Sequence, residues 1–339
     1  MAAAPAPAAL RAAPAGPAGS RILGVGAYRP ARIVGNEEIC TRIDSDDAWI
    51  RQRSGIATRH FAGPGETVVT MAVEAGLKAL AQAGVAPAQV DLVLLASMSH
   101  LGRASAAAPE VAHLLGAGRA AATDLSAACA GFCYALGVAD SMIRAGAARH
   151  VVVVGAERMT DIVDPYDRDT AFIFGDGAGA VVLGPAAVPG VGPVVWGTEG
   201  DRHGLIARDR SWPEARERPD PWPTLRMDGP QVFRWAIAKV PEIGGAALAA
   251  AGVTAADLAA FVPHQANLRI VDTSARRLGL PGHTAVARDI VRSGNTSAAS
   301  VPLALDDLLA RGELLSGGLA LLVGFGAGLA YAAQVVALP

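Results

Sequence analysis

Several stretches of this sequence set a reactive side chain where chemistry collects. Cys129 stands in Asp124-Leu-Ser-Ala-Ala-Cys129-Ala-Gly-Phe132, after a strand-like run and ahead of an amphipathic helical one. A cysteine at such a turn lies on the positive end of a helix dipole, which lowers its pKa and favours the nucleophilic thiolate. Small neighbours leave room for a substrate to approach. Read alone, Cys129 also fits a buried structural cysteine, the commoner fate of a free thiol, and Cys133 and Cys40 are read that way. His264 lies in Val262-Pro-His264-Gln-Ala-Asn267, where an apolar strand gives way to a helix. Carboxyl ends of strands in α/β sheets are where ligands bind. The other histidines (60, 100, 113, 150, 203 and 283) have helix or loop surroundings without comparable neighbours. Asn295, in Ser293-Gly-Asn295-Thr-Ser297, again precedes a helix, and an N-cap role also accounts for it. Gly324-Phe-Gly326-Ala327-Gly328 follows another apolar strand. Its glycines let backbone N–H groups turn toward a bound oxygen, as an oxyanion hole requires, although a tight turn explains them too.

Other chemistries are excluded. Gly24-Val-Gly26 runs into Tyr28-Arg-Pro30, and Gly175-Asp-Gly177-Ala-Gly179 runs into a strand. Neither has the strand-turn-helix setting of a dinucleotide fingerprint. There is no P-loop or zinc motif, and three cysteines form neither a paired disulfide framework nor zinc spacing. A reducing cytoplasm is the expected compartment. With 339 residues, 52% apolar and 18% charged at net charge -2, the chain has about two domains' worth of core. That balance excludes a polyelectrolyte and gives no electrostatic reason for a nucleic-acid partner. The longest apolar runs, such as 319–323, are far short of the ~20 residues that cross a bilayer, so no membrane is expected.

The elements that must position these residues come in a repeating order. Helical periodicity predicts helices at 66–84, 106–117, 129–147, 230–252, 266–280 and 296–314. Runs rich in Val, Leu and Ile predict strands at 21–27, 91–98, 150–156, 178–184, 258–263, 319–324 and 329–337. Continuous apolar strands suit a sheet covered on both faces by helices. Ala79-Leu-Ala-Gln-Ala-Gly84-Val85 returns as Ala247-Leu-Ala-Ala-Ala-Gly252-Val253, the glycines 168 positions apart. Further echoes follow in order, which predicts two similar α/β halves, 21–185 and 186–339. The repeat offset sets Asn295 within two residues of the counterpart of Cys129. Residues 1–20 are mostly Ala, Pro and Gly, and are expected to be a disordered tail outside the fold.

Cys129, His264 and Asn295, in that order and with these flanks, resemble the thiolase-like condensing enzymes, and within them β-ketoacyl-ACP synthase III. Ser45-Asp-Asp-Ala-Trp49-Ile50 and Phe174-Gly-Asp-Gly-Ala-Gly-Ala180 also look like that family's motifs. The resemblance runs from Ile22 to Pro339. A biosynthetic thiolase is expected to carry a second cysteine where this chain has Gly324-Phe-Gly-Ala-Gly, and the elongating synthases a histidine where it has Asn295. Plant-type chalcone synthases share Cys-His-Asn but differ in the surrounding motifs.

The resemblance implies a five-layered αβαβα arrangement of two duplicated halves, and a homodimer. It implies that Cys129 takes an acyl group from acyl-CoA, and that His264 and Asn295 stabilise the enolate formed as malonyl-ACP loses CO2. Acyl-CoA and malonyl-ACP are substrates, and neither a cofactor nor a metal is implied. Backbone N–H groups of Cys129 and of Gly326-Ala327 would hold the oxyanion. Trp49 and Arg168 would sandwich the adenine of CoA, with Arg53 near its phosphates. Arg269, Arg276 and Arg277, with Arg234, would dock the acidic carrier protein, although Asp272 among them also fits an ordinary solvated face. Ala104, Phe174 and Phe233 would border the acyl pocket. Where the family often shows an aromatic or Thr followed by Pro, this chain has Gly102-Arg-Ala104-Ser-Ala106, which predicts room for branched or longer starters. Two other roles remain open on sequence: a starter-unit synthase or acyltransferase of a secondary-metabolite pathway, and a non-catalytic partner subunit. The latter is expected to lack the nucleophile.

Overall fold

Two five-stranded sheets with helices between and outside them build the molecule, seen in a computed structural model that describes residues 16–101, 106–217, 222–312, 314 and 316–339. The first sheet uses β1 (Gly19–Tyr28), β2 (Leu92–Ala96), β3 (Ala121–Leu125), β4 (Val151–Glu157) and β5 (Gly177–Ala186). Its order is β1-β5-β4-β2-β3. The second uses β6 (Val195–Thr198), β7 (Leu258–Pro263), β8 (Ala285–Val286), β9 (Leu319–Gly326) and β10 (Ala330–Ala337), in the order β6-β10-β9-β7-β8. Each sheet joins two antiparallel pairings to two parallel ones in the same sequence.

The helices are α1 (Val68–Ala83), α2 (Ala108–Leu114), α3 (Gly131–Arg144), α4 (Gly229–Ala251), α5 (Leu268–Arg277) and α6 (Ser300–Ala310). Every residue of β2 and β4 is buried, because helices cover both faces. Phe132, Leu136 and Ile143 of α3 pack with Val301, Leu305 and Leu308 of α6 in one cluster that touches both sheets. The outer face of the first sheet packs on α1 and α2, and that of the second on α4. Ile270 of α5 joins that last cluster. Five αβαβα layers result.

All six predicted helices and all seven predicted strands are present, with shifted ends. The two glycines of the repeated segment end α1 and α4 in the same left-handed cap, at φ 63° and 69°. Val85 N–H then bonds Leu80 C=O, and Val253 N–H bonds Leu248 C=O, both at 3.1 Å. The fold begins earlier than expected. Strand β1 starts at Gly19, and buried Ser20 donates to Asp140 Oδ1 at 2.8 Å. The rest of the tail, residues 1–15, lies outside the described residues, as does Ala104.

Periodicity did not reveal an insertion between β1 and α1. It holds a hairpin of 32–35 on 58–61 and the helices Asn36–Cys40 and Asp47–Ser54. These pieces are too short and too polar to show a period. Among the described residues no helix is long and apolar enough to cross a membrane, and no group of His, Cys, Asp and Glu could hold a metal ion.

Candidate active site

The nucleophile is placed by a strained turn. After β3 the backbone passes through Ala128 at φ 45°, makes a single 3₁₀ turn over Ala128–Ala130, and enters α3. Positive φ at a residue with a Cβ costs about 1 kcal/mol and persists where the surroundings enforce it. Here the enforcing contact is β9. A Cβ on Gly326 would lie 2.7 Å from Cys129 Cβ and 3.0 Å from its Sγ, so only glycine lets the two backbones meet. Cys129 is 8% exposed. The Ser297 hydroxyl, its own N–H and the N–H of Ala327 lie close enough to its sulfur to favour the thiolate. Two of the groups expected to form the oxyanion hole therefore point at the reacting atom.

The electrostatics differ from the sequence expectation. Burial pushes the Cys129 thiol up to about 12, with the Glu157 carboxylate adding in the same direction. The helix end and the hydrogen bonds oppose that rise without overcoming it. The resting nucleophile is a thiol that must lose its proton during attack.

His264 follows β7, its N–H held by Val323 C=O at 2.7 Å. The ring packs edge-on against Phe325, centroids 5.0 Å apart, and Phe325 in turn packs on Trp235 at 6.3 Å. Burial lowers the imidazole from 6.5 to about 3, so it is neutral at physiological pH. Ser300 Oγ lies 2.6 Å from Nδ1 and accepts from Gln265 N–H at 3.3 Å. The tautomer in which the hydroxyl donates to Nδ1 puts the imidazole proton on Nε2. Gly326 of β9 abuts Cys129, and its neighbour Phe325 packs on His264.

Asn295 is fixed at three points. Its N–H donates to Ile173 C=O at 2.9 Å, its C=O accepts from Gly175 N–H at 3.0 Å, and its Oδ1 accepts from Ser297 N–H at 2.8 Å. The last bond occupies Oδ1 and leaves the Nδ2 donors free of that tie. The capping bond read from sequence is thus an internal tie to Ser297, which also touches the nucleophile.

Three polar residues at this centre were not singled out from the sequence. Ser297 and Ser300 follow Asn295 directly, and Glu157 ends the otherwise apolar Val151–Glu157 strand. A carboxylate closing a fully buried strand was the available signal. No spacing rule joins it to Ser297, 140 positions away.

The residues expected to bind CoA lie together on the inserted helix and the loop beside it. Arg168 stacks on the Trp49 ring at 4.9 Å and Arg53 at 5.6 Å, while Phe172 meets the same ring edge-on at 5.3 Å. An intervening base needs about 7 Å between planes, twice a ~3.5 Å contact. At 4.9 Å from the Trp49 ring, Arg168 leaves no space for a base between them, so it would have to swing out to admit one. Asn267 links this region to α5 by donating to Arg53 C=O at 2.9 Å.

Arg269, Arg276, Arg277 and Arg234 are all exposed. Asp272 is neutralised by Arg288 at 2.9 Å, so the α5 face is basic. Half-buried Phe233 lies under the Arg269 guanidinium at 4.9 Å. Phe174 is 5% exposed, packs with Met159, Ile162 and Leu225, and borders a cavity of about 210 Å³. Its backbone bridges to Asn295. A wider groove of about 670 Å³ runs along Glu199, Arg234, Trp235 and Lys239. None of Cys129, His264 and Asn295 lines that groove, so volume alone does not mark the chemistry.

The buried cysteine belongs to the first half, and the buried histidine and asparagine belong to the second. This is the plan of a thiolase-like condensing enzyme. The family described as 3-oxoacyl-[acyl-carrier-protein (ACP)] synthase III matches residues 123–200, and its C-terminal part matches 248–338. The β-ketoacyl-[acyl-carrier-protein] synthase III 1 of Streptomyces coelicolor is 51% identical over 331 residues, covering 94% of this chain and 96% of that protein. The priming β-ketosynthase of the R1128 polyketide biosynthetic pathway superposes with TM-score 0.95 at 51% identity, covering 97% and 98%. The 3-oxoacyl-[acyl-carrier-protein] synthase III of Aquifex aeolicus superposes with TM-score 0.87 at 35% identity, covering 94% and 100%. The chain belongs to the β-ketoacyl-ACP synthase III family.

Proposed function

We propose that the chain joins a short or branched acyl-CoA starter to malonyl-ACP by decarboxylative Claisen condensation, giving 3-oxoacyl-ACP, CoA and CO2. Cys129 attacks the acyl-CoA thioester and holds the acyl group while CoA leaves. The N–H groups of Cys129 and Ala327 receive the oxyanion, with Gly326 giving them access. Malonyl-ACP then enters, and His264 Nε2–H and Asn295 Nδ2–H bond its thioester oxygen. Loss of CO2 leaves an enolate whose oxygen these two donors stabilise, and its carbon attacks the acyl-cysteine.

The observation that carries this reading is the neutral histidine. A charged imidazolium would protonate a developing enolate, whereas a neutral N–H beside a fixed amide N–H stabilises it without transferring the proton. CoA is read onto Trp49, Arg53 and Arg168, and the carrier protein onto the face of Arg269, Arg276, Arg277 and Arg234. The edge strand β3 ends its sheet with a free side, which suits pairing with a second copy in a homodimer. A role at the start of type II fatty acid synthesis follows from this chemistry.

A second reading keeps the chemistry and changes the pathway. The likeness to a polyketide-priming ketosynthase equals that to the Streptomyces coelicolor synthase in identity, which favours a starter-unit role as much as a fatty-acid one. Intact-protein mass after incubation with acetyl-, isobutyryl- and longer acyl-CoAs tests the first half-reaction, and CO2 release from malonyl-ACP tests the second. An acyl adduct on the wild type and none on Cys129→Ala is expected. A covalent adduct on that variant would overturn the assignment of the nucleophile.

A further inference from the structure

Cys129 rests as a thiol, and the neutral histidine is a poor acceptor for its proton. His264 Nδ1 is already paired with Ser300 Oγ at 2.6 Å, and burial disfavours the imidazolium that taking a proton would form. Another acceptor is in place. The Ser297 hydroxyl lies beside the Cys129 sulfur and donates to Glu157 Oε1 at 2.9 Å. Ser297 is wholly buried and stands at φ 48°, a strained conformation that its N–H bond to Asn295 Oδ1 helps to hold. Glu157 is also wholly buried and pairs with no cation among the described residues.

A buried carboxylate without a counter-ion needs many donors, and this one has them. Oε2 accepts from Ser97 Oγ at 3.2 Å, from the N–H groups of Met98 and Ser99 at 3.1 Å each, and closely from Ser99 Oγ. Oε1 accepts from Ser297 Oγ, and at longer range from Met98 N–H at 3.2 Å and Ala298 N–H at 3.4 Å. The ionisable groups around it are few. Cys129 faces it across Ser297, Arg158 turns away to Asp161 at 3.3 Å, and His264 is tied to Ser300 on the second sheet's side.

We propose that Ser297 and Glu157 form the proton relay that activates Cys129. As Sγ bonds the acyl carbon, the thiol proton passes to Ser297 Oγ while the Ser297 proton passes to Glu157 Oε1. The tetrahedral intermediate collapses by breaking the bond between the acyl carbon and the CoA sulfur, which leaves with the electron pair. The proton held on Glu157 returns through Ser297 and ends on the CoA thiolate. Acyl-CoA and Cys129–SH thus become acyl-Cys129 and CoA–SH, with no other reactant. Ser297 touches the reacting sulfur, and Glu157 acts through it. This inference rests on the condensation reading, but concerns only its first half.

The test separates the two halves. Ser297→Ala removes the hydroxyl and keeps the backbone N–H that holds Asn295. Ser297→Gly does the same and also relieves the positive φ. Acylation by acyl-CoA, followed as intact mass in a rapid quench, should fall about 10²-fold in both variants, the lower end of general acid–base effects. Decarboxylation of malonyl-ACP should stay within about threefold of wild type, because His264 and Asn295 are unchanged. In Glu157→Gln the acylation rate should lose its low-pH limb and rise with pH toward the thiol's own ionisation. Wild-type acylation rates and pH profile in the serine variants would overturn the relay. An equal loss in both half-reactions would also overturn it, by showing that Ser297 serves only to place Asn295. If wild-type enzyme formed no acyl adduct at all, the condensation reading would fail instead.

Discussion

Burial of a neutral imidazole makes His264 a source of acid lability, and the size of the effect can be worked out. In the unfolded chain the residue binds a proton below 6.5, and in the fold only below about 3. Between those values the unfolded state holds more protons, so stability is complete above pH 6.5 and is lost as the pH falls. Each unit contributes about 1.4 kcal/mol, so at pH 5 the loss is about 2 kcal/mol and near pH 3 about 5 kcal/mol. The perturbation is His264→Asn, which removes the titrating group and keeps a polar side chain next to Ser300. Urea unfolding of both proteins at pH 7.5 and 5.0 should show wild type losing about 2 kcal/mol more than the variant. Identical losses would refute the buried neutral histidine. So would an inflection near pH 6.5 in malonyl-ACP decarboxylation that disappears in the variant.

Other expectations concern the surroundings of the site. Trp49→Ala should raise KM for acyl-CoA about tenfold with little change in kcat, since one stacking platform contributes about 1–3 kcal/mol to base binding. Steady-state kinetics against acyl-CoA checks it. Arg276→Glu with Arg277→Glu should raise KM for malonyl-ACP several-fold at low salt and leave acylation by acyl-CoA unchanged, an effect that added salt should diminish. Gly326→Ala places a Cβ 2.7 Å from that of Cys129 and should slow acylation at least 10²-fold, read as acyl-enzyme mass against time.

Much of the framework was legible because it is periodic. Strands such as Val151–Glu157 and helices such as Val68–Ala83 are long enough to show their pattern, and each is buried as that pattern requires. The insertion that carries Trp49 was not legible as structure, since helices of five and eight residues and four-residue strands are too short and too polar to show a repeating pattern. Cys129, His264 and Asn295 could be picked out because each stands at the end of a legible element. Glu157 and the serines could not, because their meaning depends on contacts 140 and 36 positions apart. The direction of the Cys129 shift failed for a related reason. A sequence shows the helix end that lowers a thiol pKa, but not the burial that raises it more.

The repeat offset was close, and its small error is instructive. The 3₁₀ turns Ala128–Ala130 and Ser297–Ala299 each precede a middle-layer helix, and each opens on a positive φ, 45° and 48°. Matching them gives an offset of 169, which pairs Cys129 with Ala298 and Asn295 with Ser126. The same offset pairs Gly155 with Gly324 and Glu157 with Gly326, at the ends of β4 and β9. Each turn then rests on the strand end of the other sheet. A Cβ on Gly155 would lie 2.3 Å from Ala298 C=O, and one on Gly324 would lie 3.0 Å from Ala130 Cα. Two equivalent niches arise, and one residue decides their use. In the niche at β9, Gly326 adds no side chain and leaves the Cys129 sulfur uncrowded, the room that the proposed acyl-cysteine would need. In the niche at β4, Glu157 fills the corresponding volume and takes the Ser297 hydroxyl as a ligand. The asymmetry of a single strand end thus separates a substrate site from the polar support beside it, although the two backbones are built alike.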